Sequence, residues 1–405
     1  MIEIEMSCIP DAEVDFQTLS ELAAQFERQS GVRVHLYRMT WGTAWAEFVT
    51  IASHGKGPDL SHLGGSWVSS LATMNALRAF HPPEIEAMGG AQAFSPPTWA
   101  STRLVGDERI WALPWTGYVY LVCYHRDLLQ GAGLDPAQAF GSRRALTATT
   151  EQLRQAGLES PVVIPYVPPP YTDLVHMAAS CIWSAGGEFV DEEGRQVLLD
   201  LPPALDGLTD WLNFYRLVPP AYVHLTQEEC LNLFLQRRAA VLVIDNRFIA
   251  TNLIRGQGLV KGLETVAFAP LTETPWFGGG DFVIWQHTQG YPDRERAAVE
   301  FIQFLVSKEA QLMWAERVGS MPARLEALHQ AYPAGHPLQA AVLQAVQQGR
   351  DYLNVPLWRR LEFQIAQTLG ALLQEAHENR GTPARFLIER RILPLVERLN
   401  LTLRG

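Results

Sequence analysis

Apolar residues recur in the first part of the chain with two periods, one typical of strands and one typical of helices. Ile2, Ile4 and Met6 alternate with polar residues, which predicts a strand over 2–9. The next apolar residues have helical spacing and predict a helix over 16–30. The pattern continues with predicted strands over 32–38 and 59–63 and predicted helices over 45–53 and 66–77. This alternation indicates a layered α/β fold with a mostly parallel sheet.

Helical patterns become more frequent further along the chain. Five prolines between residues 161 and 171 exclude a central strand or helix in that stretch. The predicted helices lie over 173–185, 203–217, 227–238, 294–306, 307–317, 325–329, 337–348, 357–375 and 382–399, and the predicted strands over 239–244, 265–270 and 282–285. No internal repeat interrupts this order.

Length and composition favour a two-domain protein with a sizeable core. The chain has 405 residues, of which 47% are hydrophobic and only 19% charged. The formal net charge is −11 and no block of Lys or Arg occurs, so nucleic acid is not an expected partner. No apolar run reaches the length of about 18 residues that a membrane span needs.

The N-terminus and the cysteines carry information on the cellular compartment in which the protein acts. The first residues lack the basic segment and the long apolar segment of a signal peptide. We therefore expect either a periplasmic or extracellular protein whose signal is absent from this chain, held at the membrane only through a lipid anchor, or a cytoplasmic protein. Cys8, Cys123, Cys181 and Cys230 lie far apart without metal-ligand spacing, so buried thiols are favoured over a disulfide.

The segment from Leu113 to Leu134 is the most specific part of the sequence. Leu113-Pro114-Trp115-Thr116-Gly117-Tyr118 leads into the apolar run Val119–Cys123, followed by Tyr124-His125-Arg126-Asp127 and then Ala132-Gly133-Leu134. This order resembles the crossover segment of carbohydrate-type (family 1) extracellular solute-binding proteins, the capture subunits of ABC importers. There a Pro-aromatic turn enters a strand, and a short helix closed by Ala-Gly-Leu follows.

Further segments match the same family in the same order, from about residue 16 to 325. They are Gly57-Pro58-Asp59-Leu60, Trp183-Ser184-Ala185-Gly186-Gly187, Phe234-Leu235-Gln236-Arg237-Arg238-Ala239-Ala240-Val241, Phe277-Gly278-Gly279-Gly280, the helix pair from Ala297 to Gln311, and Gly319-Ser320-Met321-Pro322-Ala323-Arg324. The chain departs from the family where Asp245-Asn246-Arg247 stands in place of Gly-x-Trp. A ligand group in that loop is therefore expected to differ from the usual aromatic.

The resemblance implies a periplasmic-binding-protein-like fold with two α/β lobes, a multi-strand hinge and the ligand in the cleft between the lobes. We expect residues 1–114 and 268–315 in lobe one and residues 115–267 and 316–405 in lobe two. The implied protein is a monomer that captures a carbohydrate, delivers it to ABC permease subunits and needs no cofactor. The 12 tryptophans favour a di- or oligosaccharide, whereas Arg247 and Arg324 leave an anionic solute such as a glycerol phosphate open.

Sugar sites combine aromatic rings, which stack on the sugar, with polar groups that hydrogen-bond its hydroxyls. The candidate ligand-binding residues are Glu13, Asp15, Trp41, Ser66, Trp67, Trp115, Tyr118, Trp183, Asp245, Asn246, Arg247, Trp276, Gly279, Asp281 and Arg324. Trp41, Trp67 and Trp115 directly follow predicted strands, so ligand contact is favoured for them. Trp211, Trp314 and Trp358 lie on helical faces and are expected to pack.

Several candidates have an equally simple structural interpretation. Glu13 and Asp15 would also favour the N-terminus of the following helix, and Asp245 would also suit a turn. Gly278–Gly280 suggests a loop that uses the positive φ available to glycine. Arg324 could instead pair with a carboxylate across the lobes.

Catalytic signatures are absent from the sequence. It has no Gly-x-Ser-x-Gly, no His-Glu-x-x-His and no phosphate-binding glycine loop, and isolated histidines such as His81 are expected at the surface or at caps. We therefore expect no catalytic residues, no metal site and no enzyme. A glycoside hydrolase using Glu13, Asp15 and Asp245 is the less favoured alternative, and a cytosolic or fused sugar-sensing domain is another.

Overall fold

Strands and helices alternate in the computed structural model, which describes residues 2–166, 172–256 and 258–404. The strands are β1 (Glu3–Cys8), β2 (Arg33–Arg38), β3 (Leu60–Gly64), β4 (Leu77–Arg78), β5 (Leu113–His125), β6 (Ser160–Val163), β7 (Ala239–Asp245), β8 (Ile254–Arg255), β9 (Gly258–Leu259), β10 (Val266–Pro270), β11 (Phe277–Trp285) and β12 (Met321–Pro322). The α-helices are α1 (Glu13–Ser30), α2 (Trp41–His54), α3 (Val68–Thr73), α4 (Pro82–Ala87), α5 (Pro96–Ala100), α6 (Arg126–Gly131), α7 (Arg143–Gln155), α8 (Asp173–Ser184), α9 (Pro202–Tyr215), α10 (Gln227–Leu235), α11 (Asn246–Asn252), α12 (Pro292–Leu305), α13 (Lys308–Val318), α14 (Leu325–Ala331), α15 (Gln339–Gln348), α16 (Trp358–Glu378) and α17 (Ala384–Arg404). The predicted α/β alternation is confirmed, and most predicted elements begin and end within a few residues of the observed ones.

Two stretches of the chain need to be compared separately with the predicted secondary structure: residues 66–77 and the proline-rich residues 161–171. The helix expected over 66–77 ends at Thr73, and β4 follows it. In the proline-rich stretch, β6 is the outermost strand beside β7, where a proline is tolerated because one edge makes no ladder hydrogen bonds. The remainder of that prediction, over 167–171, lies outside the described residues.

Helix α1 shows how local sequence sets the ends of an element. The Asp15 carboxylate accepts hydrogen bonds from the backbone N–H groups of Asp11 at 2.8 Å and Ala12 at 3.2 Å. At the other end Gly31 has φ +73° and its N–H bonds to the carbonyl of Glu27 at 2.9 Å. A residue with a side chain is rarely found in this left-handed conformation, so glycine ends the helix there.

The chain divides into two compact units, each built from separated segments. Unit 1 contains residues 1–118, 277–333 and 351–359, and unit 2 contains residues 119–276, 334–350 and 360–405. The sequence-based division placed all of 316–405 in lobe two, whereas 316–333 and 351–359 group with unit 1. The reason is that β12 pairs with Thr116 and Gly117 in the first part of β5, and α13 packs on α1.

Unit 1 is built around a mixed sheet. Strand β1 pairs in parallel with β2 and β3, whereas β11 runs antiparallel to β3 and β4. The expectation of a mostly parallel sheet is therefore wrong. Strand β11 lies beside β3 and runs in the opposite direction. A parallel neighbour would need a crossover connection, usually a helix, whereas an antiparallel neighbour does not.

Both faces of this sheet are buried at β3 and β11. In β11 Phe282 and Ile284 join one hydrophobic core with α1, α12 and α13, while Val283 and Trp285 join a second core with α2 and α3. Consecutive side chains of a strand point to opposite faces, so a continuous apolar run fits a strand covered on both sides. Each fully buried apolar side chain of this kind stabilises the fold by about 1.5–3 kcal/mol.

Unit 2 has its own small mixed sheet. The second part of β5 pairs antiparallel with β7 and β10, and β7 pairs in parallel with β6. Helix α8 packs on α9, which also contacts α17. Trp211, on the apolar face of α9, is 1% exposed and packs as predicted.

Cys8, Cys123, Cys181 and Cys230 are free and buried, as predicted. Burial raises the pKa of the Cys8 thiol to about 12, so it stays protonated. None of the helices among the described residues is long and apolar enough to cross a membrane.

Candidate functional site

The carboxyl ends of three strands of unit 1 bring polar and aromatic side chains to one edge of the sheet. Asp11 follows β1, Trp41 begins α2 directly after β2, and Trp67 lies in the short 3-10 helix Gly65–Trp67 after β3. Since β1, β2 and β3 are parallel, these positions share the sheet edge at which open α/β sheets bind ligands.

Trp41 is held in place by a hydrogen bond and by ring contacts. Its Nε1 donates to Asp11 Oδ1 at 2.6 Å. Its ring meets the rings of Trp67 at 5.5 Å and His62 at 6.1 Å, nearly perpendicular to both. Trp41 is partly exposed whereas Trp67 is buried, so Trp41 presents more of its surface to a ligand.

Two more side chains extend this aromatic group. The ring of Trp45 lies 5.8 Å from Trp67 in an edge-on arrangement. The guanidinium of Arg359 lies 5.2 Å from the ring centre of Trp67 and 5.9 Å from that of Trp45. A cation at this distance from an aromatic face is attracted to it. We call Asp11, Trp41, Trp45, His62, Trp67 and Arg359 the unit 1 aromatic group.

His62, which the sequence placed in a strand, is a core residue of this group. Its ring lies 4.9 Å from Trp115, and Trp115 in turn packs on Trp314 at 4.2 Å. Burial lowers the pKa of His62 to about 3, so the imidazole is neutral at physiological pH. Trp115 is 2% exposed. Packing in the core therefore explains the position of Trp115 without a ligand, and its contact with a ligand stays a prediction.

The glycine run from Gly278 to Gly280 lies inside β11 and not in a loop. None of its members has positive φ, so the conformational explanation is wrong. A Cβ on Gly279 would lie 1.9 Å from the carbonyl oxygen of Thr116, and a Cβ on Gly280 would lie 2.4 Å from His62 Nε2. These glycines therefore allow β11 to lie close against β5 and His62.

Asp281 is buried directly after this run. It is 1% exposed, and its Oδ2 lies 2.7 Å from the hydroxyl oxygen of Ser101. Burial raises the pKa of the carboxyl to about 7. Ser101 is also 2.7 Å from the carbonyl oxygen of Thr98. Asp281 thus belongs to an internal hydrogen-bond chain.

Other predicted residues of unit 1 make contacts that explain them without a ligand. Glu13 is exposed and forms a two-point ion pair with Arg38 at 2.6 and 2.7 Å. Asp15 caps α1, as described above. Arg324 donates to the backbone carbonyls of Met88 at 3.0 Å and Val306 at 3.3 Å. Ser66 is partly exposed beside Trp67.

Unit 2 assembles a second group of aromatic and polar side chains, from β5, α8 and the residue before β11. The Tyr120 hydroxyl donates to Asp173 Oδ1. The ring of His176 stacks on Trp276 at 3.8 Å with an interplanar angle of 8°. The backbone N–H of Trp276 donates to Ser180 Oγ at 2.9 Å, which fixes the tryptophan against α8. We call Tyr120, Asp173, His176 and Trp276 the unit 2 aromatic group.

The end of β7 adjoins this group through its register with β5. Tyr120 and Asp245 are direct partners in the β5–β7 ladder. Asp245 Oδ1 accepts from the N–H of Phe248 at 2.8 Å and caps α11. Asn246 is fully buried; its Oδ1 accepts from the N–H of Val119 at 2.9 Å. The Asp-Asn sequence thus orders the start of α11, and Asn246 also ties it to β5.

Three further candidates lie at other positions of the chain. Arg247 is partly exposed on α11, and Tyr118 is partly exposed in β5. Trp183 is buried near the end of α8, against Phe189 at 5.9 Å and under the guanidinium of Arg350 at 5.1 Å. It lies seven residues after His176, which separates it from the unit 2 aromatic group by about two helical turns.

Sequence reasoning missed Asp11, Trp45, His62 and Arg359 of the unit 1 aromatic group and Tyr120, Asp173 and His176 of the unit 2 aromatic group. Tyr120 lies within an apolar run that indicated only a buried strand, and Asp173 and His176 begin a helix whose signal was its apolar face. The available clue was the spacing of Asp173 and His176, three residues apart and hence neighbours on one helix face. Among the described residues, no group of three or more His, Cys, Asp or Glu side chains is arranged to hold a metal ion.

Comparison with known proteins identifies one family. The model of the bacterial extracellular solute-binding protein family matches residues 21–339 of this chain. No curated protein sequence matches it significantly.

Solved structures are similar over nearly the whole chain. The sugar-binding protein MalE of Xanthomonas citri has a TM-score of 0.80 at 17% identity, covering 100% of this chain and 99% of its own. Maltose-bound MalE3 of T. maritima has a TM-score of 0.77 at 21% identity, covering 99% and 100%. The GacH receptor of Streptomyces glaucescens, solved with acarbose, has a TM-score of 0.73 at 17% identity, covering 98% and 99%. At these identities the likeness shows the fold, and the predicted two-lobed α/β fold of periplasmic binding proteins is confirmed.

Proposed function

Because this chain belongs to the family of bacterial extracellular solute-binding proteins, we propose that it captures a carbohydrate, a di- or oligosaccharide, and delivers it to the permease of an ABC importer. Proteins of similar fold were solved with maltose and with acarbose, both of which are carbohydrates. The observation that carries the proposal is the pairing of ordered aromatic rings with polar groups in each unit.

The unit 1 aromatic group has the chemistry that a sugar requires. The apolar face of a pyranose ring stacks on an indole, and its hydroxyls need hydrogen-bond partners in pairs. Trp41 offers a partly exposed ring whose position is fixed by Asp11 at 2.6 Å. A ring that is already held in one orientation loses little conformational freedom on binding, which favours affinity.

The unit 2 aromatic group offers the same types of residue, with His176 partly exposed and Trp276 7% exposed beneath it. Asp173 and the Tyr120 hydroxyl supply polar atoms, and His176 and Trp276 supply stacked rings. An aromatic contact contributes about 0.5–1.5 kcal/mol beyond the area that it buries. The number of aromatic rings in the two groups favours a ligand with several sugar rings, a di- or oligosaccharide. In this proposal the lobes enclose it by a hinge motion, as two-lobed binding proteins do.

The proposal is tested by a thermal-shift screen against mono-, di- and oligosaccharides, with polyols and glycerol phosphates included. A ligand present at 100 times its dissociation constant should stabilise the protein by about 2.7 kcal/mol. For the ligand found, Trp41→Ala and Trp276→Ala should each raise Kd by roughly tenfold, equivalent to about 1.4 kcal/mol. Phe386→Ala, an exposed aromatic of α17, should leave Kd unchanged.

Each result bears on a different part of the proposal. If no carbohydrate shifts the unfolding temperature, the sugar assignment is wrong. If a sugar binds but neither tryptophan variant weakens it, the sugar site lies elsewhere. Turnover of the bound sugar into products would show a hydrolase instead. Delivery is tested in cells, where deletion of the gene should abolish uptake of the sugar; unchanged uptake would favour the sensor alternative.

A further inference from the structure

Helix α17 carries apolar side chains on two opposite sides. One side faces the core of unit 2, where Ile388 and Leu395 are fully buried. On the other side Phe386 is 55%, Leu393 42% and Leu401 69% exposed. At about 100° of turn per residue, these three side chains fall within an arc of about 80°. Single exposed apolar side chains are common on protein surfaces, whereas a line of them on one helix face marks a surface that binds another molecule.

Two residues of opposite charge complete this exposed stripe. Arg390 and Glu397 each follow one of its apolar residues by four positions, so they lie on the same side of α17, and both are exposed. Arg390 forms an ion pair with Glu375, but Arg391 binds the same carboxylate group at 2.7 Å. One carboxylate therefore serves two guanidinium groups, so a further carboxylate close to Arg390 would lower the electrostatic energy.

The order of residues along the stripe is self-complementary. Phe386 and Leu401 lie equally far from a midpoint just after Leu393, and Arg390 and Glu397 also lie equally far from it. A two-fold axis through this midpoint would pack two α17 helices antiparallel, with the same surface used by both copies. Phe386 would then lie beside Leu401 of the second copy. Arg390 would lie beside Glu397 of the second copy, and this ion pair would form twice.

We propose that the exposed stripe of α17 is the contact surface of a homodimer, in which it packs antiparallel on α17 of a second copy of this chain. The apolar side chains supply the attraction, because they are removed from water. The charges fix the direction of packing. A parallel pair of helices would place Arg390 opposite Arg390, whereas the antiparallel pair places each charge opposite its counterpart of the other sign.

The size of the stripe sets the strength of the dimer. From Phe386 to Leu401 the stripe is about 22 Å long. A single pair of helices in contact over this length buries less than the roughly 1,200–2,000 Å² of a standard stable interface. The dimer is therefore weak, with a Kd of roughly 10–100 μM. It departs from the monomer that the family resemblance implies. No residue of either aromatic group takes part, so sugar binding and dimer formation can fail independently.

The test is sedimentation equilibrium of the whole protein from about 5 to 500 μM. The wild-type mass should rise with concentration from 45.2 kDa towards twice that value. Arg390→Glu and Glu397→Arg should each raise the Kd of the dimer by at least about tenfold, because like charges then meet at both contacts. An equimolar mixture of these two variants should associate again, because opposite charges face each other in the mixed dimer. Glu300→Arg, which reverses an exposed charge of unit 1, should associate as the wild type does.

Three results would overturn the proposal. They are a wild-type protein that stays at 45.2 kDa at every concentration, charge-reversal variants that associate as the wild type does, and a mixture that associates no better than its two components. Arg390→Glu also loses the ion pair with Glu375, so thermal unfolding must show that it is folded. If it is not, Leu393→Glu replaces it. This exposed position lies beside the two-fold axis, so the substitution brings two carboxylates together and should abolish association; wild-type association of this variant would equally refute the dimer.

Discussion

Replacing Asp281 with asparagine should stabilise the protein at neutral and alkaline pH. Burial raises the pKa of this carboxyl from 3.8 to about 7 in the folded state. Between pH 4 and 7 the folded protein therefore binds a proton that the unfolded chain has already released. The stabilising contribution of the protonated Asp281 is complete below the pKa that this carboxyl has in the unfolded chain. It is lost as the pH rises towards 7. A shift of about three pKa units corresponds to about 4 kcal/mol.

The hydrogen bonds around Asp281 agree with a neutral carboxyl. Ser101 has one hydroxyl hydrogen but lies 2.7 Å from both the Asp281 carboxyl and the carbonyl oxygen of Thr98. If Asp281 is protonated, it donates to Ser101, and Ser101 donates to Thr98. If Asp281 is ionised, the two acceptors compete for one hydrogen. An asparagine NH₂ group can donate to Ser101 as the protonated acid does, without a charge.

The assay is urea unfolding of wild type and Asp281→Asn from pH 4 to pH 8.5. Hydrogen exchange measured on peptides of unit 1 reports the transition, because a chain with two units need not unfold in one step. We expect similar stabilities near pH 4 and a gain of up to about 4 kcal/mol for the variant at pH 8. Glu300→Gln, which removes an exposed carboxylate of unit 1, should keep the wild-type pH profile.

The reasoning about Asp281 fails under either of two outcomes. One is a wild-type protein whose unit 1 stability does not fall between pH 4 and 7 relative to the variant. The other is an asparagine variant that is less stable at every pH, which would mean that the ionised carboxylate is satisfied in the fold.

Two further substitutions test the packing of unit 1. Gly279→Ala would place a methyl group 1.9 Å from the carbonyl oxygen of Thr116, so β11 must shift; we expect at least about 3 kcal/mol loss in urea unfolding, whereas Gly290→Ala, with open space around it, should change little. Arg78 is 2% exposed and forms ion pairs with two carboxylates, one of them Glu84 at 2.5 Å; Arg78→Met should cost about 3–5 kcal/mol because the partners lose their cation. A loss below about 1 kcal/mol in either variant would contradict the corresponding argument, and Arg78→Lys should recover part of the loss because it restores the charge.

Local patterns determined much of the secondary structure of this protein. Apolar residues at positions 19, 22, 23 and 26 have helical spacing and determine the buried face of α1, and Gly31 determines where the helix ends. The apolar run over 239–244 predicted a strand, which is β7 without its last residue. Such elements are decided by residues a few positions apart, which is why the sequence alone was sufficient for them. The crossover segment and the order of the other motifs likewise led to the family.

The tertiary structure decided which side chains meet. Asp173 and His176 meet Tyr120 and Trp276 because the fold brings the start of α8 to β5 and to the residue before β11, although these residues are separated by up to 156 positions in the sequence (276 − 120). The glycines of β11 looked like a loop until the approach of Thr116 and His62 explained them. Asp281 owes its raised pKa to burial, which depends on everything packed around it. Sequence spacing therefore determined the helices and strands, whereas only the packed fold fixed the contacts, the desolvation and the charge balance on which the candidate sites depend.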